Sequence, residues 1–457
     1  MSWASAVRQT AAPPEVPPLF AHQVRDVEFY LQQPAVFNTS DAGTGKSRTI
    51  IESIRRLKLN KRVLVVAPKS ILVPAWGNDL DKFGPELSYS VATAEQRKKA
   101  YDADVQIVIT NHDAVVWLVK EGRKYLDSFE FVVFDESTAY KRATTHRSKA
   151  ALEIRRRVER ATCLTGTPTP NGVLDLWHQM MLVDLGERLG SNFFRFRSAT
   201  CDSVQRFGFA EWAPKEGAEE AVGQLIDDCT IRNRRDDCLD LPEHQVIKLR
   251  VPLNPTHAAV YRRMKNVAAL QLQDGNISAV NAAVLTNKLL QLAAGSSYDD
   301  DGVARYFDGD RLDLVMQLVD ERPASVVAFN YTHQRDGLTH RAKQMKIPYA
   351  VIDGEVASKD RTAAVEAFQA GRIKVIFAHP ASAGHGLTLT RGVATIWVSP
   401  TWNLEHFLQF NARIYRAGQV QRTETILIAA EDTLERGVYQ RLEDKSLKQT
   451  NLLEMLR

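Results

Sequence analysis

Ala35-Val36-Phe37-Asn38-Thr39-Ser40-Asp41-Ala42-Gly43-Thr44-Gly45-Lys46-Ser47 decides how this chain is read. A short apolar run gives way to a glycine-containing loop, and Lys46 and Ser47 then open a helical stretch over 46–58. That order is the context of a phosphate-binding loop. Gly43 and Gly45, on either side of Thr44, let backbone N–H groups face phosphates with no Cβ in the way. Lys46 would neutralise the β- and γ-phosphates, Ser47 would offer its hydroxyl to Mg²⁺, and the helix N-terminus adds a positive dipole. Ser40 stands where the G-x-x-x-x-G-K-[ST] pattern has its first glycine. Taken alone, the loop also reads as a glycine-rich turn with a surface lysine.

Working outward, short and mostly unalternating apolar runs recur at 63–68, 105–110, 131–135 and 161–165. Such runs are expected of strands buried on both faces of a parallel sheet. The rhythm returns at 325–330, 348–353, 373–378, 394–399 and 423–429, with helical patterns between, as at 360–369. The reading is α/β, with two parallel-sheet lobes in tandem. Between roughly 172 and 320 strands thin out, and helical spacing over about 257–294 predicts a protrusion. Leu241-Pro242 marks the boundary. The expected organisation is therefore a flexible N-terminal arm (1–18), lobe one (19–240) and lobe two (241–457).

Composition narrows the class. The 457 residues are 44% hydrophobic and 25% charged, an ordinary globular mix that excludes a wholly disordered chain. The 59 basic and 55 acidic residues leave a formal charge of +4, which neither announces nor excludes a nucleic-acid partner. No run long enough to span a membrane is seen, and the first 18 residues lack the order of a signal peptide. Four cysteines with no C-x-x-C pair argue against a zinc site and fit a reducing cytoplasm.

Downstream of the loop, Phe131-Val132-Val133-Phe134 ends in Asp135-Glu136. At a strand's carboxyl end Asp135 can reach Mg²⁺ and Glu136 can polarise the attacking water.

These motifs, with those that follow, resemble a superfamily-two helicase, more closely its SWI/SNF-like branch of DNA translocases, over about residues 19–445. Leu19 to Gln23 resembles the glutamine motif. Pro68-Lys69-Ser70-Ile71-Leu72 with Trp76 resembles motif Ia, and Thr110-Asn111-His112-Asp113 motif Ib. Asp135-Glu136-Ser137-Thr138 resembles motif II, and Leu164-Thr165-Gly166-Thr167-Pro168 motif III. In lobe two, Phe329-Asn330-Tyr331 resembles motif IV and Ala383-Gly384-His385-Gly386-Leu387-Thr388-Leu389 motif V. Trp402-Asn403 followed by Gln409, Arg413, Arg416, Gly418 and Gln419 resembles motif VI. Two departures stand out: Thr138 occupies the usual histidine position, and Leu404 the usual proline position. The resemblance implies RecA-like lobes, a compact member similar to those of bacterial viruses, ATP and Mg²⁺ as cofactors, and Gln23 reading the adenine edge.

Phosphoryl transfer needs positive charge at the γ-phosphate. Arg416 is the expected arginine finger. Arg413, three residues earlier, is expected on the same helix face, with Gln409 sensing the nucleotide. Candidate nucleic-acid contacts are Lys69, Ser70, Thr110, Asn111, Gly166 and Thr167 in lobe one, and Ala383, Gly384, Thr388 and Trp402 in lobe two. For Ser70 and Thr110 a helix cap, and for Trp402 a core position, are the competing readings.

The expected function is an ATP-dependent translocase on duplex or branched DNA, sequence-independent, working as a cytoplasmic monomer in a bacterial or phage-infected cell. A replication, recombination or transcription protein is the expected partner. A remodeller that displaces proteins such as RNA polymerase, and an RNA helicase, are the alternatives.

Overall fold

The computed structural model describes residues 16–206, 209–273, 279–298, 304–306, 309–383 and 387–454. The first sheet is built from β1 (Ala35–Asn38), β2 (Arg62–Ala67), β3 (Tyr89–Ala92), β4 (Ile107–Asn111), β5 (Phe129–Asp135) and β6 (Arg160–Leu164). A hairpin, β7 (Cys201–Arg206) and β8 (Phe209–Pro214), precedes the seventh strand of that sheet, β9 (Thr230–Ile231). Strand order is β3-β4-β2-β5-β6-β1-β9, parallel throughout.

The second sheet begins at β10 (His244–Val251). After a small hairpin, β11 (Ser296–Tyr298) and β12 (Ala304–Tyr306), it continues through β13 (Ser325–Ala328), β14 (Tyr349–Ile352), β15 (Val375–Ala378), β16 (Ala394–Trp397) and β17 (Thr423–Ala430). Its order is β10-β17-β16-β13-β15-β14, again parallel throughout. Two parallel sheets flanked by helices are the tandem RecA-like architecture.

The apolar runs alternate between two cores rather than between core and water. Val132 and Phe134 of β5 face one apolar layer, while Phe131 and Val133 face the opposite one. Val375 and Phe377 of β15 divide from Ile376 and Ala378 in the same way. Burying each such side chain contributes about 1.5–3 kcal/mol, so neither face can be polar without large loss. The helices Pro255–Gln273 and Ala279–Ala293 pack on each other around Tyr261, Ala268, Leu289 and Leu292.

One expectation needs correction. Strands do not simply thin out over 172–320, since β7 to β12 all fall there, most of them short or outside the cores. Of the expected loose arm, residues 1–15 lie outside the described residues, but Pro17 is held: its carbonyl accepts from Arg48 Nη2 at 3.1 Å. Among the described residues no helix is long and apolar enough to cross a membrane.

Candidate active site between the lobes

Open α/β sheets bind ligands at the carboxyl ends of their strands. The loop after β1, the acids ending β5 and the turn after β6 all lie there. The loop after β1 hangs on the chain leaving β9, with Thr39 N donating to Ile231 O (2.8 Å) and Asp41 N to Asn233 O (3.0 Å). Arg232 braces it from behind, donating to Thr39 O at 2.6 Å and pairing with Asp41 at 2.7 Å. Burial alone would raise the Asp41 carboxyl, but Arg232 and Arg235 hold it below its ordinary range. The basic stretch at 232–235 therefore supports the phosphate loop.

Gly45 takes a left-handed φ of +86°, and a Cβ there would lie 2.2 Å from Gln23 Nε2. Only glycine meets both constraints. Gln23 is fixed at the helix start by its own amide: Oε1 accepts from Phe20 N at 3.0 Å, and Nε2 donates to Thr44 O at 3.3 Å. His22, which the sequence reading passed over, donates to the same carbonyl at 2.9 Å.

Lys46 Nζ donates to Ser40 O (2.7 Å) and Asp41 O (3.0 Å), spanning the loop it belongs to. Burial pulls its ammonium down, and the charges of Glu136, Asp135 and Asp41 oppose that. Asp135 accepts from Trp76 Nε1 at 2.8 Å and from Glu136 N at 3.0 Å, and burial raises it. Glu136 sits in left-handed backbone, φ +53°, with Oε2 buried and without a hydrogen-bond partner. Burial, then Asp135 and Glu405, push its carboxyl up to about 8.

Asp79 is a residue the sequence reading missed. It lines the same cleft, where Arg416 is its leading charge partner and Ser47 a polar neighbour that favours the ionised form. Burial pushes its carboxyl up to about 6.

Lobe two contributes from the segment after β16. Arg413 and Arg416 do not share a helix face as expected. The helix Leu404–Asn411 ends before them, and both lie in the turn that follows. That turn brings them together by another route: Arg413 Nη1 (3.2 Å) and Arg416 Nη1 (3.3 Å) both donate to Leu387 O. Arg413 Nε also donates to Gln409 O at 2.9 Å. Burial and Arg416 push the Arg413 guanidinium down, and burial does the same to Arg416, where Asp79 opposes it. Two buried cations side by side form a site that favours a polyanion.

One cleft of about 540 Å³ is lined by Gln23, Gly43 to Ser47, Asp79, Asp135, Glu136, Arg413 and Arg416. Gly43 is packed so closely that a Cβ would lie 3.0 Å from Arg416 Cβ. Gln409 is buried beside it, with Nε2 donating to Glu405 Oε1 at 3.4 Å and Oε1 unpartnered.

The nucleic-acid candidates divide. Lys69 and Trp402 are exposed, and Ser70 and Asn111 are half-buried. Trp402 is thus not a core residue, and Arg441 stacks on its ring. Thr110 is fully buried, and its hydroxyl donates to Ala92 O. Thr167 and Ala383 are likewise buried, Gly166 lines a cavity behind the loop after β1, and Thr388 lines the same cleft as Lys46 and Arg416. Gly384 lies outside the described residues.

Residues 23–296 match the SNF2-related domain, and residues 310–418 match the helicase conserved C-terminal domain. The chain is similar to protein p41 of Acyrthosiphon pisum secondary endosymbiont phage 1, at 30% identity over 91% of this chain and 93% of that protein. It is 23% identical to an uncharacterized ATP-dependent helicase of Mycoplasma genitalium, over 88% of this chain and 38% of that protein. It is 24% identical to the DNA annealing helicase and endonuclease ZRANB3 of Homo sapiens, over 86% of this chain and 36% of that protein. The chain therefore spans less than two fifths of the Mycoplasma and human proteins. The Sulfolobus solfataricus SWI2/SNF2 ATPase core in complex with dsDNA aligns over 98% of this chain and 96% of that chain, with 22% identity and a TM-score of 0.46. The chain belongs to the SNF2-related family of ATP-dependent, helicase-type enzymes.

Proposed function

We propose that this enzyme is an ATP-driven translocase on double-stranded DNA that remodels duplex or branched substrates. The observation that carries the reading is the convergence of Lys46, Glu136, Arg413 and Arg416, from both lobes, on one cleft. A nucleotide in that cleft touches both lobes, so its γ-phosphate biases their closure and its loss biases their opening. Lobes that each hold the same strand then move along it with each turnover. The DNA annealing activity named for the ZRANB3 relatives supports DNA over RNA as the track.

Within the cleft, Lys46 and Arg416 stabilise charge on the transferred phosphoryl group, and Glu136 accepts the proton of the attacking water. The donor set fits Mg²⁺: Ser47 supplies a hydroxyl, and each Asp135 oxygen keeps a lone pair beyond its existing hydrogen bond. When bound, the metal neutralises phosphate charge. Lys69, Ser70, Asn111 and Trp402 form the nucleic-acid contacts, mainly to phosphate and sugar.

ATPase stimulation by duplex, branched and single-stranded DNA and by RNA, at one fixed salt concentration, tests the reading. Strong stimulation by duplex or branched DNA is expected. Stimulation by RNA alone would overturn it.

A further inference from the structure

A second cavity, of about 230 Å³, lies behind the loop after β1. It shares Ala42, Lys46, Glu136 and Ala412 with the cleft described above, so the lysine and the acid stand where the two spaces meet. Its volume is below the ~300 Å³ at which small-molecule pockets begin, a size that suits a small ion rather than a nucleotide. Lobe one supplies Gly166, Thr167, Arg234 and Arg235 to its wall, and lobe two supplies Gln409, Ser446, Gln449 and Thr450. The last three lie on the helix Glu435–Glu454 at three- and four-residue spacing, which puts them on one face.

Four buried oxygens around this one space have no hydrogen-bond partner among the described residues: Thr167 Oγ1, Gln409 Oε1, Gln449 Oε1 and Glu136 Oε2. Thr167, Gln409 and Gln449 are only 3%, 4% and 6% exposed. Buried polar groups are normally paired, so four left over around one cavity mark it as a place for a polar species. A threonine hydroxyl donates, and a glutamine amide that turns over presents N–H groups in place of its oxygen. Charge gives the sign of that species. Lys46, Arg232, Arg234 and Arg235 face the cavity against Asp41, Asp236 and Glu136, and burial keeps Glu136 protonated below about pH 8. The cations prevail, and the cavity favours an anion.

We propose that this cavity is the exit for inorganic phosphate, which leaves past Arg234, Gln449 and Thr450 while ADP still occupies the cleft. The proposal rests on the hydrolytic roles given above to Lys46 and Glu136. Hydrolysis forms a bond from the water oxygen to the γ-phosphorus, breaks the bond to the β-phosphate oxygen and leaves the water's proton on Glu136. The neutral acid then no longer repels the product. ADP stands between the freed phosphate and the opening through which ATP entered, whereas the second cavity begins at Lys46 and Glu136 themselves. Its two walls belong to different lobes, so lobe opening widens the exit.

The test compares the wild type with Thr450→Trp, which fills the exit, Gln449→Glu, which places a negative charge in it, and the conservative Thr450→Ser. Acid quench follows cleavage, and a fluorescent phosphate sensor follows release. A parallel run in heavy-oxygen water counts reversals: each cleavage adds one water oxygen to the phosphate, and a product held in place re-forms ATP and is cleaved again, gaining more. Release should slow about tenfold relative to cleavage in Thr450→Trp and Gln449→Glu, the effect of a modest added barrier. The share of phosphate carrying two or more water oxygens should rise in both, and Thr450→Ser should match the wild type. Both readouts are taken relative to cleavage, so a variant with weakened folding or chemistry still decides the question. Release that keeps its wild-type pace with cleavage in both variants, with an unchanged oxygen count, would overturn the exit. Wild-type cleavage in Glu136→Gln would instead sink the hydrolytic reading on which the exit rests.

Discussion

The indole of Trp76 donates to Oδ2 of Asp135 at 2.8 Å, and both side chains are buried. This bond joins the segment that follows Lys69 and Ser70 to the acid that faces the phosphate loop. Asp135 is raised by burial, and the indole counters that by favouring the ionised form.

Trp76→Phe keeps most of the apolar volume and removes that donor. Hydrogen bonds to charged groups contribute about 1.5–3 kcal/mol. The Mg²⁺ concentration needed for half-maximal ATPase should rise about tenfold, because a carboxylate less ready to ionise binds a cation less well. A Mg²⁺ titration of turnover checks this; an unchanged midpoint would remove Trp76 from the metal site.

Glu136 predicts a pH dependence. Its carboxyl is pushed up to about 8 by burial, then by Asp135 and Glu405, so below that pH the free enzyme holds it protonated. A general base must be ionised, and kcat/KM reports the free enzyme. kcat/KM for ATP should therefore climb with pH and level off above about 8. Glu136→Gln should bind ATP and barely hydrolyse it. A flat profile from about pH 6 to 9 would contradict the assignment.

Arg416 and Arg413 separate by stability. Arg416→Ala should slow hydrolysis on the order of 10³-fold with ATP binding largely retained, the magnitude typical of an arginine finger. Arg413 is more buried and ties Gln409 O to Leu387 O, so Arg413→Ala should also lower the melting temperature. Turnover and thermal melts of both variants are the check. Unchanged turnover in Arg416→Ala would pass the finger role to Arg413.

Lobe two is pinned by a buried ion pair. Arg311 donates through Nη1 and Nη2 to the two carboxylate oxygens of Glu435 at 2.8 and 2.7 Å, and Ala430 N donates to the same acid. Glu435→Ala strands a buried guanidinium and should cost about 3–5 kcal/mol. Denaturant unfolding measures this, and a loss under about 1 kcal/mol would show the pair to be dispensable.

Much of the fold was legible because double-sided burial leaves a local trace. The runs that became β1, β2, β5 and β6, and β13 to β17, are apolar on successive residues. β3 and β10 were missed because they are sheet edges: Lys248 and Arg250 interrupt β10, whose residues are mostly half-buried or exposed. In the site, Lys46, Asp135 and Glu136 could be read from one loop and one strand end. Asp79, His22 and Glu405 could not, because their roles come from side chains brought together by the fold. The burial of Thr110 was hidden for the reverse reason: a strand-end position suggested exposure, but β3 covers its side chain.

Directional movement along duplex DNA is the central claim, and displacement of a third strand from a triplex measures it without requiring the duplex to open. The enzyme should release the third strand from a duplex carrying a flanking track, at a rate that depends on ATP and is abolished in Lys46→Ala. Robust ATP hydrolysis with no ATP-dependent displacement would contradict the account.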